Sequence, residues 1–310
     1  MDRIIDIHAH LGDICHPGGG ALIEKTGVSK NLLFDMTSLS ELLLFRGGGN
    51  INPESFVKMD NWFYRRSVKE TMARNLSGTR ENFTNSRVEA NIDFSVSLPV
   101  PPYVTFADLK TAADKDSSIL PFTGIDFTKD YDVDAALAED VKAGAKGMKL
   151  HPILQGEKLT SKKTFESMEA FAPHNLPVLM HTGITPYYPD KNNTFMEQPS
   201  YGCINCVHEI VKAFPQVNFI IGHGGLFQKQ ETGEKLCAFK NIWVDTTFCS
   251  PKVIREYFKV YGPDRVLFGS DWPWGNRKPA IRSLKKACQG DKSLEARVFF
   301  DNAAELMRLS

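Results

Sequence analysis

Five of the eight histidines in this sequence end short apolar runs that are typical of buried β-strands. An aspartate ends a further run of the same kind. Imidazole and carboxylate groups bind borderline divalent cations such as Zn²⁺, and they also suit Fe²⁺ or Mn²⁺. A metal with three or four such ligands retains a position for water and lowers the pKa of that water toward neutrality. If the strands bring them together, these side chains predict a metal-dependent site; they are His8, His10, His151, His181, His223 and Asp271.

The strands that carry these residues recur along the chain at a regular spacing. From the second strand on, each interval has the length of one βα unit. Eight strands that alternate with helices predict an α/β fold, a closed (β/α)8 TIM barrel, whose strands all end at one mouth. An open doubly wound sheet is the alternative, which is disfavoured because no G-x-G-x-x-G motif follows a strand. The strands are predicted to start near residues 4, 92, 119, 146, 177, 217, 242 and 265, with helices at 132–143, 162–172 and 203–214.

One connection is much longer than the others. Residues 12–87 form an insertion after the first strand, within what is predicted to be a single domain spanning 1–310. Because βα loops leave the carboxyl face of a barrel, we expect this insertion to be a lid over the site; an oligomer contact or a simple elaboration is the alternative. Its arginines could bind a substrate carboxylate bidentately or belong to a solvated helix face, and they include Arg65, Arg66, Arg74 and Arg80.

Four motifs at strand ends together resemble the amidohydrolase superfamily. The resemblance is strongest to its amidohydrolase 2 branch, which includes aminocarboxymuconate-semialdehyde decarboxylase, other aromatic-acid decarboxylases and pyrone-dicarboxylate lactonase. It covers the first strand and nearly everything from about 92 to 309, whereas the insertion matches no known pattern. The motifs are Ile-Asp-Ile-His-Ala-His at 5–10, Val-Leu-Met-His-Thr-Gly at 178–183, Ile-Gly-His-Gly-Gly at 221–225 and Leu-Phe-Gly-Ser-Asp-Trp-Pro at 267–273.

This resemblance implies roles for individual residues. One metal ion, zinc being the first expectation and Mn²⁺ or Fe²⁺ the alternatives, would be bound by His8, His10, His181 and Asp271. His223 would be the acid, base or polarising residue, and Asp271 would also receive the proton of the attacking water.

Lys149 has two possible roles. In binuclear members of the superfamily the corresponding lysine is carboxylated and bridges two metals, but the Lys149-Leu-His-Pro motif also fits the mononuclear branch. We favour the second interpretation, in which Lys149 and His151 face a substrate carboxylate. The substrate pocket is also expected to include His16 and Trp272, while Asp6 and Asp245 are candidates for supporting the ligands.

These expectations favour a metal-dependent hydrolase that uses activated water on a small carboxylated or cyclic substrate, such as an amide or a lactone. A non-oxidative decarboxylase of an aromatic or muconate-like acid is the alternative at the same metal site. A metal-binding sensor or pseudoenzyme is a third, minor alternative.

The charge composition argues against some classes of binding partner. Lysine plus arginine and aspartate plus glutamate number 37 each, and this zero net charge argues against nucleic acid or an anionic membrane as a partner. A small-molecule substrate is therefore expected, and the resemblance to the family suggests a homodimer.

Six cysteines are too sparse for a disulfide scaffold, so reduced thiols in a cytoplasmic protein are expected. The Cys203-x-x-Cys206 pair is interpreted as structural, because a zinc site would need a second pair.

Overall fold

The computed structural model describes residues 3–29, 62–185, 187–188 and 197–309, without the side chains of 62–68. Within these ranges the strands are β1 (Ile5–Ala9), β2 (Phe94–Ser97), β3 (Ile119–Pro121), β4 (Thr123–Gly124), β5 (Met148–Leu150), β6 (Val178–Met180), β7 (Phe219–Ile221), β8 (Ile242–Asp245) and β9 (Val266–Leu267). The helices are α1 (Trp62–Asn75), α2 (Arg80–Glu89), α3 (Phe106–Lys115), α4 (Val133–Lys142), α5 (Pro152–Gln155), α6 (Lys162–Phe171), α7 (Ile204–Ala213), α8 (Lys229–Leu236), α9 (Pro251–Tyr261), α10 (Arg277–Cys288), α11 (Lys292–Ala296) and α12 (Asn302–Leu306).

The strands pair in parallel and in sequence order, as they do in a TIM barrel. The assigned pairs form two groups, β1 to β3 and β4 to β9. Phe122 alone separates β3 from β4, so these two short strands are parts of one stretch. Backbone bonds from Ile7 N to Phe268 O (2.9 Å) and from Asp271 N to His8 O (2.7 Å) join the end of β9 to β1. The predicted TIM barrel is therefore confirmed, with its third strand divided.

Alternation along each strand separates the side chains that pack outward from those that point inward. On β5, Met148 and Leu150 belong to the apolar cluster that includes Val207 of α7 and Ile254 of α9. Lys149 lies between them, so its side chain points to the opposite face, the interior of the barrel. On β1, where the register shifts between Asp6 and Ala9, His8 and His10 both point to the carboxyl end of the barrel, so the strands bring polar groups to one mouth.

Several helices begin at residues that the sequence marks as caps. Thr105 and Asp108 form a capping box at the start of α3. The side chains of Ser161 and Ser250 accept backbone N–H groups at the starts of α6 and α9, and Pro251 follows at the first helical position. No helix in the described ranges is long and apolar enough to cross a membrane.

The insertion predicted for 12–87 is described at its two ends, whereas 30–61 lie outside the described residues. The ends pack beside the barrel mouth: Gly12 N donates to Gly78 O (2.7 Å), and Arg74 Nη1 donates to Trp274 O (2.8 Å). Arg80 pairs with Glu24 across the surface (3.0 Å). Arg74 and Arg80 thus bind groups of the protein itself, and the side chains of 65 and 66 are not described. The lid remains a prediction.

Candidate active site

His8 is held in one orientation by a carboxylate at the end of β8. Its Nδ1 lies 2.7 Å from Asp245 Oδ2, and both side chains are fully buried. Asp245 Oδ1 accepts hydrogen bonds from the backbone N–H groups of His223 (2.9 Å) and Thr247 (3.0 Å). Burial raises the pKa of Asp245 to about 6, with the hydrogen bonds from Thr247 opposing this shift, so the carboxyl is ionised at neutral pH. An ionised carboxylate only accepts, hence His8 carries its proton on Nδ1 and keeps the Nε2 lone pair.

His10 has the same tautomer for a different reason. Its Nδ1 lies 2.9 Å from Leu98 O, and a carbonyl can only accept, so Nδ1 carries the proton. The Nε2 atoms of His8 and His10 then face one oxygen, Asp271 Oδ1, at 3.5 and 3.4 Å. His8 Nε2 is buried with no hydrogen-bond partner among the described residues.

These three side chains fit a divalent cation. Their donor atoms all lie within 4.8 Å of one another, and all three residues are buried. Two imidazole lone pairs and a carboxylate oxygen are a donor set that suits Zn²⁺, Mn²⁺ or Fe²⁺. The donor atoms of a second group, His8 with His223 and Asp245, also lie within 4.8 Å of one another. There the contact between His8 and Asp245 is already a hydrogen bond, so we assign the metal to the first group.

The remaining histidines contact one another, and His223 also lies against His8, with ring centroids 4.7 Å apart. His181 Nδ1 lies 3.1 Å from His223 Nε2, and the His151 and His181 rings stack with centroids 4.4 Å apart. Tyr187 Oη bridges the two stacked rings, at 3.1 Å from His151 Nε2 and 3.3 Å from His181 Nδ1. His181, predicted to be a ligand, is not one of the described residues in either three-residue group. Its buried Nε2 has no hydrogen-bond partner in the described part of the chain, and its role as a ligand stays a prediction.

Burial keeps these rings neutral. It lowers the pKa values of His151, His181 and His223 well below 6.5, and the neighbouring histidines and Lys149 lower them further. At neutral pH each ring therefore has one N–H donor and one acceptor, and His181 and His223 share one hydrogen bond between them.

Lys149 brings a positive charge into this buried region. Its side chain is 1% exposed, and its Nζ has no hydrogen-bond partner among the described residues. Burial lowers the pKa of Lys149 to about 7, against the opposing effect of Asp271 and Asp245. An amine in this state can bind a carboxylate that enters the site, because the anion would restore the charged form and supply the missing acceptor.

Two site residues have backbone conformations that side chains rarely adopt. His223 and Asp271 both have φ of 58°, in the left-handed region. His223 is fixed there by its bond to Asp245, and Asp271 by its bond to His8 O. Close packing also matters at Gly269, where a Cβ would lie 2.7 Å from Thr247 Oγ1 and 3.1 Å from His8 Cβ. The mouth thus holds its polar groups at a cost in backbone strain of about 1 kcal/mol each.

A buried ion pair between Asp6 and Arg277 holds the chain beside both His8 and Asp271. Asp6 accepts hydrogen bonds from Ser270 N (2.9 Å), Ser270 Oγ (2.6 Å) and Arg277 Nε (3.2 Å). His8 N also donates to Asp6 (3.3 Å). Asp6 was expected to support the ligands, and the structure gives it that position. Arg277 was missed, although a buried aspartate on a strand requires a cation nearby.

The expected pocket residues have different surroundings. The Trp272 ring packs edge-on to Phe83 (5.3 Å) and beside Arg277, and none of the described ring contacts joins it to the histidines. His16 binds Asp13 through Nδ1 (2.9 Å) at the partly exposed edge of the mouth. Tyr187 was not predicted, yet its ring contacts both stacked histidines and Trp274. The aromatic pair at 187–188 after the His181 motif was the available signal.

The family is decided by a match over nearly the whole chain. A protein-family model described as amidohydrolase, Amidohydro_2, matches residues 5–309. The chain belongs to this amidohydrolase family. The resemblance in the motifs is therefore confirmed, and the protein is an enzyme.

Solved structures that resemble this amidohydrolase share its fold at low sequence identity. A 5-carboxyvanillate decarboxylase from Novosphingobium aromaticivorans, complexed with manganese and a nitrobenzoic acid, has a TM-score of 0.65 at 13% identity, covering 99% of this chain and 96% of that one. A 2,6-dihydroxybenzoate decarboxylase from Rhizobium has a TM-score of 0.63 at 14% identity, covering 100% and 99%. A probable 2-pyrone-4,6-dicarboxylic acid hydrolase from Acinetobacter baumannii has a TM-score of 0.58 at 13% identity, covering 100% of both chains. No curated protein matches the sequence.

Proposed function

We propose that the protein catalyses the metal-dependent, non-oxidative decarboxylation of a small planar carboxylic acid. The observation that carries this proposal is the Lys149 amine, which is buried beside the donor set without a hydrogen-bond partner in the described residues. A buried amine of this kind favours an anionic substrate, because the anion would restore its charged form. Two of the similar structures are decarboxylases of benzoic acids, which agrees with this choice.

The residues around Lys149 suit a flat ring. His151 and His181 stack with an interplanar angle of 11°, and Phe248 stacks on His223 with an angle of 21°. Such ring faces pack well against an aromatic or conjugated substrate. Exclusion of water from this buried site also favours the reaction itself, because the charge is localised on the carboxylate before the step and spread over the ring after it.

The metal site would be formed by His8, His10 and Asp271, with zinc as the proposed ion and manganese as the alternative. When bound, the metal supplies a Lewis acid for the oxygen atoms of the substrate. Lys149 orients the substrate by its carboxylate or a neighbouring oxygen. As the bond from the ring carbon to the carboxylate carbon breaks, carbon dioxide leaves and the electron pair stays on the ring. We assign delivery of the proton that the ring carbon then takes up to Asp271, whose carboxylate would first take that proton from solvent, since it is the most exposed of the donor set at 11% of its side chain.

Hydrolysis of a lactone or amide is a second candidate, because the same groups can serve it. Asp271 would accept the proton of the attacking water, and His223 would donate to the substrate carbonyl. The Acinetobacter structure is that of a probable hydrolase of a cyclic dicarboxylic acid, which favours this candidate at the same site.

One experiment separates the two. The protein, loaded with Zn²⁺ or Mn²⁺, would be incubated with hydroxybenzoic, muconate-like and pyrone-dicarboxylic acids in water enriched in ¹⁸O. We expect carbon dioxide release and no ¹⁸O in the remaining product. An ¹⁸O-labelled ring-opened acid without carbon dioxide would overturn decarboxylation and select hydrolysis.

A lysine variant tests how the substrate binds. Lys149→Gln should raise KM for the carboxylate substrate by about tenfold or more, since a hydrogen bond to a charged group is worth about 1.5 to 3 kcal/mol. Lys146→Gln is the matched control, because Lys146 precedes the same strand and is partly exposed. Equal KM values in the two variants would remove Lys149 from the substrate site.

A further inference from the structure

Two cysteines lie close together at the start of a helix outside the donor set. Cys203 is the N-cap residue of α7 and Cys206 lies in its first turn, with the two Sγ atoms 3.0 Å apart. Both are partly exposed, whereas Cys15, Cys249 and Cys288 are buried. A disulfide needs an S–S distance of about 2.05 Å, so a shift of roughly 1 Å would connect this pair.

The segment before Cys203 is bonded to the loops that carry two of the mouth histidines. Gly183 N, two residues after His181, donates to Gly202 O (2.8 Å). Gln198 N donates to Ile153 O (3.0 Å), and Ile153 lies two residues after His151. Gly202 is packed closely against both segments, because a Cβ there would lie 2.4 Å from Gly183 O and 2.9 Å from Ile153 Cδ1. A movement of Cys203 is therefore transmitted toward His181.

We propose that Cys203 and Cys206 form a reversible redox pair, and that their disulfide alters the active site by displacing the loop that carries His181. This proposal replaces the purely structural role that the sequence suggested. It does not depend on which reaction the enzyme catalyses, since its first readout is the state of the two thiols.

The chemistry balances with a low-molecular-weight disulfide as the oxidant. The Cys203 thiolate attacks the oxidant, forms a mixed disulfide and releases one thiolate. The Cys206 sulfur, after losing its proton, attacks Cys203 Sγ and releases the second. The protein loses two electrons and two protons, and the oxidant becomes two thiols. Burial raises the pKa of Cys206 to about 11, and its contact with Cys203 adds to this, which assigns the first attack to Cys203.

The test begins with the intact protein in glutathione buffers of increasing oxidised fraction. Alkylation followed by peptide mass spectrometry should show Cys203 and Cys206 losing reactivity together, with the mass of two hydrogens lost and no glutathione retained. Cys206→Ser should instead retain one glutathione on Cys203. Cys237→Ser, at another partly exposed cysteine, is the control and should behave as the parent. Independent alkylation of the two thiols, or stable glutathionylation of the parent, would overturn the redox pair.

The second measurement tests the link to the site. Mn²⁺ affinity and thermal midpoint would be compared for the reduced and oxidised protein, with Cys206→Ser treated in parallel. We expect oxidation to change Mn²⁺ affinity several-fold in the parent and in Cys237→Ser, and not in Cys206→Ser. Equal affinity in both redox states of the parent would overturn the coupling even if the disulfide forms. Absence of decarboxylation, by contrast, would leave both results intact.

Discussion

The two sides of the barrel mouth use the same residue type in opposite ways. On the ligand side, formed by His8, His10, Asp245 and Asp271, each imidazole donates from Nδ1 to a group that can only accept. On the ring side, formed by His151, His181, His223 and Tyr187, the imidazoles contact one another and a hydroxyl.

This difference shows how a protein divides histidines between metal binding and substrate contact. A carboxylate or carbonyl partner fixes one tautomer, so the other lone pair is always available to a cation. On the ring side the tautomer of His151 is set by the Leu154 N–H that its Nδ1 accepts, whereas His181 and His223 are bonded to each other, so either ring can carry the proton between them. The ligand side is thus suited to holding an ion, and the ring side to adapting to a bound molecule and relaying protons.

Of the substitutions proposed here, the replacement of Asp271 on the ligand side should reduce turnover the most. Asp271→Asn keeps the shape of the side chain but removes the group that can bind the metal as an anion and take up and release a proton. We expect turnover to fall by about three orders of magnitude, within the usual contribution of a general acid or base. Steady-state rates at saturating Mn²⁺ would measure this. Asp264→Asn, at a surface residue paired with Arg297, is the control. Unchanged turnover of Asp271→Asn would mean that the assigned chemistry is wrong.

The second largest effect should come from the residue that fixes His8. Asp245 Oδ1 already accepts two backbone N–H groups, so in Asp245→Asn the amide nitrogen would face His8 Nδ1. A donor at that position forces the His8 proton onto Nε2 and removes the lone pair that faces Asp271. Metal affinity should fall by about 10- to 100-fold.

Calorimetric titration with Zn²⁺ and Mn²⁺ measures that loss. Asp93→Asn is the matched control, because Asp93 also binds the chain around β1, through Ile4 N (2.7 Å), but away from the mouth. If both variants bind metal equally well, the tautomer argument for the ligand side fails.

The sequence predicted the ligand side better than the ring side for a physical reason. His8 and His10 lie two residues apart on one strand, so the period of the strand alone places them on one face. Asp271 follows another strand, and parallel strands of a barrel end together. The positions of these residues therefore follow from local patterns and the fold class.

Contacts made by loops do not follow from such patterns. Tyr187 reaches two histidines, and Arg277 reaches Asp6, only because the loops after β6 and β9 take particular paths. Those paths depend on packing between distant segments. Trp272, whose place near the substrate stays a prediction, packs edge-on to Phe83, and the sequence pattern did not predict that contact either. The contacts of residues on loops therefore have to be taken from the structure, whereas the positions of residues on strands can largely be predicted from the sequence.

The smallest predicted effect concerns the stability of the ring side as the pH changes. The pKa of His151 is lowered well below 6.5 by burial, so the folded protein keeps it neutral where the unfolded chain binds a proton. Its contribution to stability is complete above pH 6.5 and declines as the pH falls. The decline should be about 1.4 kcal/mol per pH unit for this one proton.

His151→Asn tests this while keeping the local helix start, since an asparagine oxygen can also accept the Leu154 N–H that His151 Nδ1 now accepts. In metal-free protein, urea unfolding between pH 7.5 and 5.5 should give a shallower loss of stability for this variant than for the parent. His174→Asn, in the turn after α6, is the matched control for replacing a histidine by asparagine outside the mouth. A slope for His151→Asn as steep as that of the parent would show that the ring side accepts a proton there when folded, and that its rings are not held neutral by burial.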